Sequence, residues 1–68
     1  MTPAQFRAAI TRLRLSQLGA GRLFGAESER TPRRWASGER GIPAPVEILL
    51  RLMLSGKVTV EDVENARR

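Results

Sequence analysis

The stretch Ser16 to Gly41, SQLGAGRLFGAESERTPRRWASGERG, decides how the rest of the chain is read. Ser16 is a residue type that caps helices, and Ala20, Leu23 and Phe24 behind it recur on one helical face. Gly25 follows where a helix commonly closes on a left-handed residue. Inside this short helix stand Gly19 and Gly21, each costing about 1 kcal/mol relative to alanine. Close approach of another helix explains that cost, because a missing side chain lets two backbones pack tightly. A plain weak helix or a longer loop is the other reading.

A further helix follows the turn and runs to Gly38. If Ser28 caps it, Pro32 falls at the fourth helical position and removes the first intrahelical hydrogen bond. If Thr31 caps it, Pro32 takes the favoured first position. The Thr31 start is preferred, with a distorted turn across Ser28 to Arg30. At helical spacing Arg30, Arg33, Arg34 and Ser37 share one side, and Trp35 points roughly opposite, into the core. The face contains no acidic residue of its own, so its arginines repel one another unless an anion is near. Arginine is the side chain best suited to grip phosphate and to pair bidentately with a guanine edge.

Working outward, Thr2-Pro3-Ala4-Gln5 opens a first helix with a capping box and a proline at the first position. Phe6, Ile10 and Leu13 line its apolar face, with Arg7, Arg12 and Arg14 off it, and it is expected to end near Leu15. Beyond Gly38 comes a loop, Gly38 to Pro45, in which Arg40 can reach a phosphate. Pro45 then begins a fourth helix, Val46 to Ser55, ended by Gly56. Only Glu47 and Arg51 mark its polar side, as an i, i+4 pair. Its apolar surface is wide enough for either a central core helix or a partial dimer surface. Thr59 caps a short fifth helix docked by Val60 and Val63, with Glu61 and Asp62 at its start and Arg67 and Arg68 at its end, as the helix dipole favours.

The chain has 68 residues, enough for one domain of marginal core size, residues 1–68. Twelve Lys and Arg against seven Asp and Glu give a net charge of +5. Residues 1–40 hold eight Arg against three Glu, and residues 41–68 hold four basic and four acidic residues, so the whole excess lies in the first part. A basic half suggests a polyanionic partner. With no His and no Cys the chain lacks the commonest metal ligand, the neutral-pH base and any thiolate, and with no Tyr and one Asp no nucleophile and base pair can be assembled. An enzyme, a metal site and a cofactor are therefore not expected. The N-terminus lacks the pattern of a secretory signal, and Arg51 interrupts the longest apolar run, Ile48 to Leu54. No membrane association is expected, and a cytoplasmic location is.

Together, Leu15-Ser16-Gln17, Leu23-Phe24-Gly25, Ser28-Glu29-Arg30-Thr31, Arg33-Arg34-Trp35, Ser37-Gly38-Glu39-Arg40 and Ile42-Pro43 resemble the lambda-repressor/Cro-like (XRE-type) helix-turn-helix regulators, over about Leu13 to Leu54. The resemblance implies an all-α bundle of four to five short helices containing a helix-turn-helix. It also implies that Gln17 contacts the DNA backbone, that Gly25 is the turn glycine, and that Gly21 lets the third helix cross close to the second. Arg30, Thr31, Arg33 and Arg34 would occupy the recognition helix. The chain departs from the pattern by one extra residue between Gly25 and Trp35, and by Pro32 where an inward aliphatic residue is usual. Which of Glu29, Arg30 and Thr31 reaches a base is thus left open.

The expected function is sequence-specific binding to the major groove of double-stranded DNA by a small repressor of phage or mobile-element type. Gln17, Arg22 and Arg40 would hold phosphates, while Arg30, Thr31, Arg33, Arg34 and Ser37 would lie on the reading face. One such domain presents little surface, so a homodimer, at least on DNA, is expected on half-sites roughly 34 Å apart. The alternative is a protein-interaction module, an antitoxin or accessory factor that uses the apolar helix 46–54.

Overall fold

The first helix starts as its sequence predicts. Thr2 Oγ1 accepts from the Gln5 backbone N–H at 3.1 Å, and Gln5 Oε1 accepts from the Thr2 N–H at 2.8 Å, closing a capping box. In this computed structural model, which describes residues 1–26 and 28–67, the chain forms α1 (Pro3–Arg12), α2 (Gln17–Leu23), α3 (Arg30–Ser37), α4 (Ala44–Leu54) and α5 (Val60–Ala66). No strand occurs among the described residues. The fold is all-α.

Helix α1 ends earlier than its apolar pattern suggests. Arg14 adopts a left-handed backbone with φ 59°, the Leu15 N–H bonds the Ile10 carbonyl at 2.8 Å, and the Arg14 N–H bonds the Thr11 carbonyl at 3.0 Å. These two bonds satisfy carbonyls that the end of a helix would otherwise leave open, in a role usually given to glycine. The chain turns there, and Ser16 caps α2 through the Gly19 N–H at 2.9 Å. Gly25, at φ 76°, closes α2 by the same device, with the Ala26 N–H on the Gly21 carbonyl at 2.8 Å.

Helix α3 begins between the two starts its sequence offers. Arg30 is its first residue and Glu29 its N-cap, without a side-chain cap bond. Neither Ser28 nor Thr31 is the cap, yet Ser28 does a cap's work. Its Oγ accepts from the Arg30 N–H at 3.1 Å and its carbonyl from the Thr31 N–H at 3.2 Å. Pro32 then stands third, where a helix has no intrahelical acceptor for an N–H, so the missing donor costs nothing.

Pro32 also supplies the inward apolar contact expected of an aliphatic residue. It is fully buried, and a Cβ added at Gly21 would lie 2.5 Å from its Cγ. The close-approach account therefore holds for Gly21. It fails for Gly19, where an added Cβ would meet only Ser16 Oγ, at 3.1 Å.

The main core joins Phe6, Ala9 and Ile10 of α1, Ala20 of α2, Trp35 and Ala36 of α3, and Val46 and Leu50 of α4. The Phe6 and Trp35 rings meet edge to face, centroids 5.9 Å apart. A smaller cluster of Leu23, Met53 and Val63 attaches α5. Helix α4 starts at Ala44, with Pro45 second in it, and turns Val46, Leu50 and Met53 inward while Ile48 stays 58% exposed. It thus serves as a core helix with one large apolar residue left outside. Glu47 is held below the usual carboxylate range by the Met1 ammonium and by Arg51, whose Nε lies 3.2 Å away. Thr59 and Asp62 close a capping box on α5, and Val63 is buried with Val60 half-buried, as expected. The expected position of Arg68 at the end of that helix lies outside the described residues.

Candidate nucleic-acid interface

Helix α3 divides cleanly by side. Pro32, Trp35 and Ala36 are buried, while Arg30, Arg33, Arg34 and Ser37 are exposed. The separation follows from helical spacing: once Trp35 is committed to Phe6, residues near the opposite side of the turn must face solvent. Eight residues make α3 about 12 Å long.

Arg30, Arg33, Arg34 and Ser37 line one shallow cleft together with Glu39. Arg33 also lines an adjoining cleft with Ser16, Gln17, Leu18 and Glu29, which brings the start of α2 beside the arginine face. Leu18 and Glu29 continue into a third cleft that holds Arg22. Gln17, Arg22, Arg30, Arg33, Arg34 and Ser37 thus form one continuous surface across α2 and α3. Thr31, half-buried, and Arg40 do not join it. They line a separate cleft on the flank of α3 with Trp35 and Pro43.

The face is less purely basic than its own helix suggests. Glu39, from the loop after α3, reaches Arg34 with Nε and Oε2 3.7 Å apart, and Glu29 sits beside Arg33. Four arginines, Arg22, Arg30, Arg33 and Arg34, face two glutamates across the surface, so it stays cationic. The Arg34–Glu39 pair is 46% and 70% exposed, the kind of contact that contributes little and yields readily to a stronger anion. Ser37 is locally engaged: its hydroxyl donates to the Arg34 carbonyl at 3.2 Å and accepts from the Glu39 N–H at 3.4 Å.

Arg7 was not marked by any sequence pattern. Its Nη1 donates to the Ala36 carbonyl, in the last turn of α3 where backbone acceptors lack helical partners. Helix α1 therefore fixes the far end of α3, as Gly21 and Pro32 fix its near end. The contact links residues 29 apart in sequence and is visible only once the helices are packed.

No family model, curated protein or solved structure matches this chain. Chemically, the α2–α3 surface presents guanidinium forks and one carboxamide, groups that bind phosphate oxygens and the acceptor edge of guanine. No three acidic residues among those described lie close enough to share a metal ion, and no helix among them is long and apolar enough to cross a membrane.

Proposed function

We propose that this protein binds double-stranded DNA sequence-specifically, with α3 in the major groove, and acts as a small repressor or autorepressor. One observation carries this reading: Arg30, Arg33 and Arg34 project from one side of a helix pinned at both ends, by Gly21 against Pro32 and by Arg7 on Ala36. A groove about 12 Å wide admits such a helix, and rigid placement is what base reading requires. Gln17, Arg22 and Arg40 hold phosphates and set the register, while the α3 arginines read bases. A cytoplasmic, phage-borne or mobile-element regulator of the lambda-repressor/Cro-like kind fits these features, with neither catalysis nor a cofactor.

The test is selection of bound duplexes from a random pool, followed by anisotropy titration of the winner. Arg33→Ala and Arg34→Ala should each weaken binding by about 1–3 kcal/mol if the residue pairs with guanine, and relax preference at one position. Affinity should fall steeply with salt. Unchanged binding in both variants removes α3 from the interface.

Two copies on adjacent half-sites are part of the proposal, and a palindromic winner would support them. An apolar groove of about 340 Å³, lined by Leu23, Phe24, Leu49, Val58 and Val63 and edged by Asp62 and Arg67, favours α4–α5 as the place where copies meet. The same groove favours a second reading, a protein-interaction module. A single-species monomer in sedimentation with and without DNA, together with a copurifying partner and no DNA retardation, would select that reading instead.

A further inference from the structure

Among the described residues, Arg34 is the arginine of α3 that forms an ion pair, and its partner, Glu39, stands in the loop that follows the helix. The place of that glutamate is built by the backbone. Gly38 turns left-handed at φ 87°, the Gly38 and Arg40 N–H groups both donate to the Arg34 carbonyl, at 3.0 and 3.4 Å, and the Glu39 N–H donates to Ser37 Oγ at 3.4 Å. Residues 38–40 therefore fold back over the turn of helix that carries Arg34. Pro3 of α1 supports the fold-back from the other side, since a Cβ added at Gly38 would lie 3.1 Å from its Cγ.

The Glu39 carboxylate comes nearest to Arg34 at Nε, 3.7 Å from Oε2. A guanidinium approached along its Nε edge keeps its Nη end open, and a pair of N–H donors there matches the O6 and N7 acceptors of guanine. An exposed arginine also loses rotamer freedom on binding, and a carboxylate at its flank limits that freedom beforehand. The pair sorts ligands by charge as well. A backbone phosphate competes with Glu39 for Arg34 and is repelled by the carboxylate, whereas a guanine edge is neutral and leaves the pair intact. Where the groove displaces water, the pair grows stronger.

We infer that Glu39 is the residue that sets the specificity of Arg34: it aims the guanidinium end at guanine and withholds it from phosphate. The inference rests on the reading of α3 as a groove-binding helix, and it names the base that one arginine reads and the side chain that decides it. Glu39 acts through Arg34 and is a positioning residue. An acid on a basic face thus sharpens discrimination while lowering affinity for every duplex.

Arg34→Ala first identifies the base pair, since the position of the selected duplex at which preference relaxes should be a guanine. Two variants of Glu39 then separate reach from charge. Glu39→Asp keeps the charge but falls one methylene short of Nε, and Glu39→Gln keeps the reach and an acceptor oxygen without the charge. Anisotropy would compare the selected duplex, the same duplex with that guanine replaced by adenine, and a scrambled duplex. Glu39→Asp should lower the preference for guanine about tenfold at that position alone, with affinity for the scrambled duplex unchanged. Glu39→Gln should keep most of the preference and raise affinity for the scrambled duplex about threefold at low salt. In the Arg34→Ala background, Glu39→Asp should change no preference. Both variants should melt with the parent, because the site is exposed. An undiminished preference in Glu39→Asp, a loss shared by all positions, or an Arg34→Ala that relaxes no guanine overturns the inference and leaves α3 in the groove. A parent protein that selects no duplex overturns the groove reading, and this inference with it.

Discussion

Gly19 and Gly21 stand two residues apart in α2, and their substitution should have opposite outcomes. An alanine at 21 would set its Cβ 2.5 Å from Pro32 Cγ, a rigid and buried ring that cannot swing aside. Overpacking costs about 1–3 kcal/mol, and so short a distance belongs at the upper end, above the helical gain of about 1 kcal/mol. Gly21→Ala should therefore lower stability by about 2 kcal/mol in chemical denaturation and weaken DNA binding by separating α2 from α3. Gly19→Ala meets only the cap hydroxyl of Ser16, and should be neutral or stabilise by up to about 1 kcal/mol. Arg14 poses a related question of backbone geometry. A left-handed L-residue costs roughly 1–2 kcal/mol; glycine relieves that strain, and its freer unfolded state offsets part of the gain. Arg14→Gly should raise unfolding free energy by about 0.5–1 kcal/mol, a gain read directly from the denaturant midpoint.

At the scale of the element, α3 depends on its neighbours for both ends. Arg7→Ala removes the donor on the Ala36 carbonyl. It should cost about 1 kcal/mol of stability and weaken binding to every duplex alike, leaving the selected sequence unchanged. A shifted base preference would mean that Arg7 itself touches DNA. The helices were largely legible in the residues, because local chemistry sets their ends. Thr2, Ser16 and Thr59 cap where their types and spacing place them, and Gly25 and Gly56 turn left-handed beyond α2 and α4. Helix α3 was harder to bound because its first two N–H groups are satisfied from outside, by Ser28, and its third residue has none. Arg14 concealed the end of α1 because arginine carries no turn signal. The arginine face was visible from spacing alone, but Glu39 on Arg34 and Arg7 on Ala36 depend on how loop and helices fold back, which no periodicity encodes.

Across the whole molecule, apolar packing is unevenly shared. Eight buried residues from α1, α2, α3 and α4 form the main cluster, whereas α5 is held by Val63 against Leu23 and Met53. The surface proposed to meet DNA lies on helices of the first cluster, and the groove lined by Leu23, Leu49, Val58 and Val63 belongs largely to the second. A few side chains can therefore part without disturbing the many. Amide hydrogens of α5 should exchange with solvent deuterium through a partial opening that costs less than global unfolding, while those of α1 and α3 exchange only when the whole chain unfolds. Equal protection in all five helices would show one indivisible unit. If the rates divide as expected, the fifth helix is a latch with its own equilibrium, and whatever covers the groove beside it closes that latch.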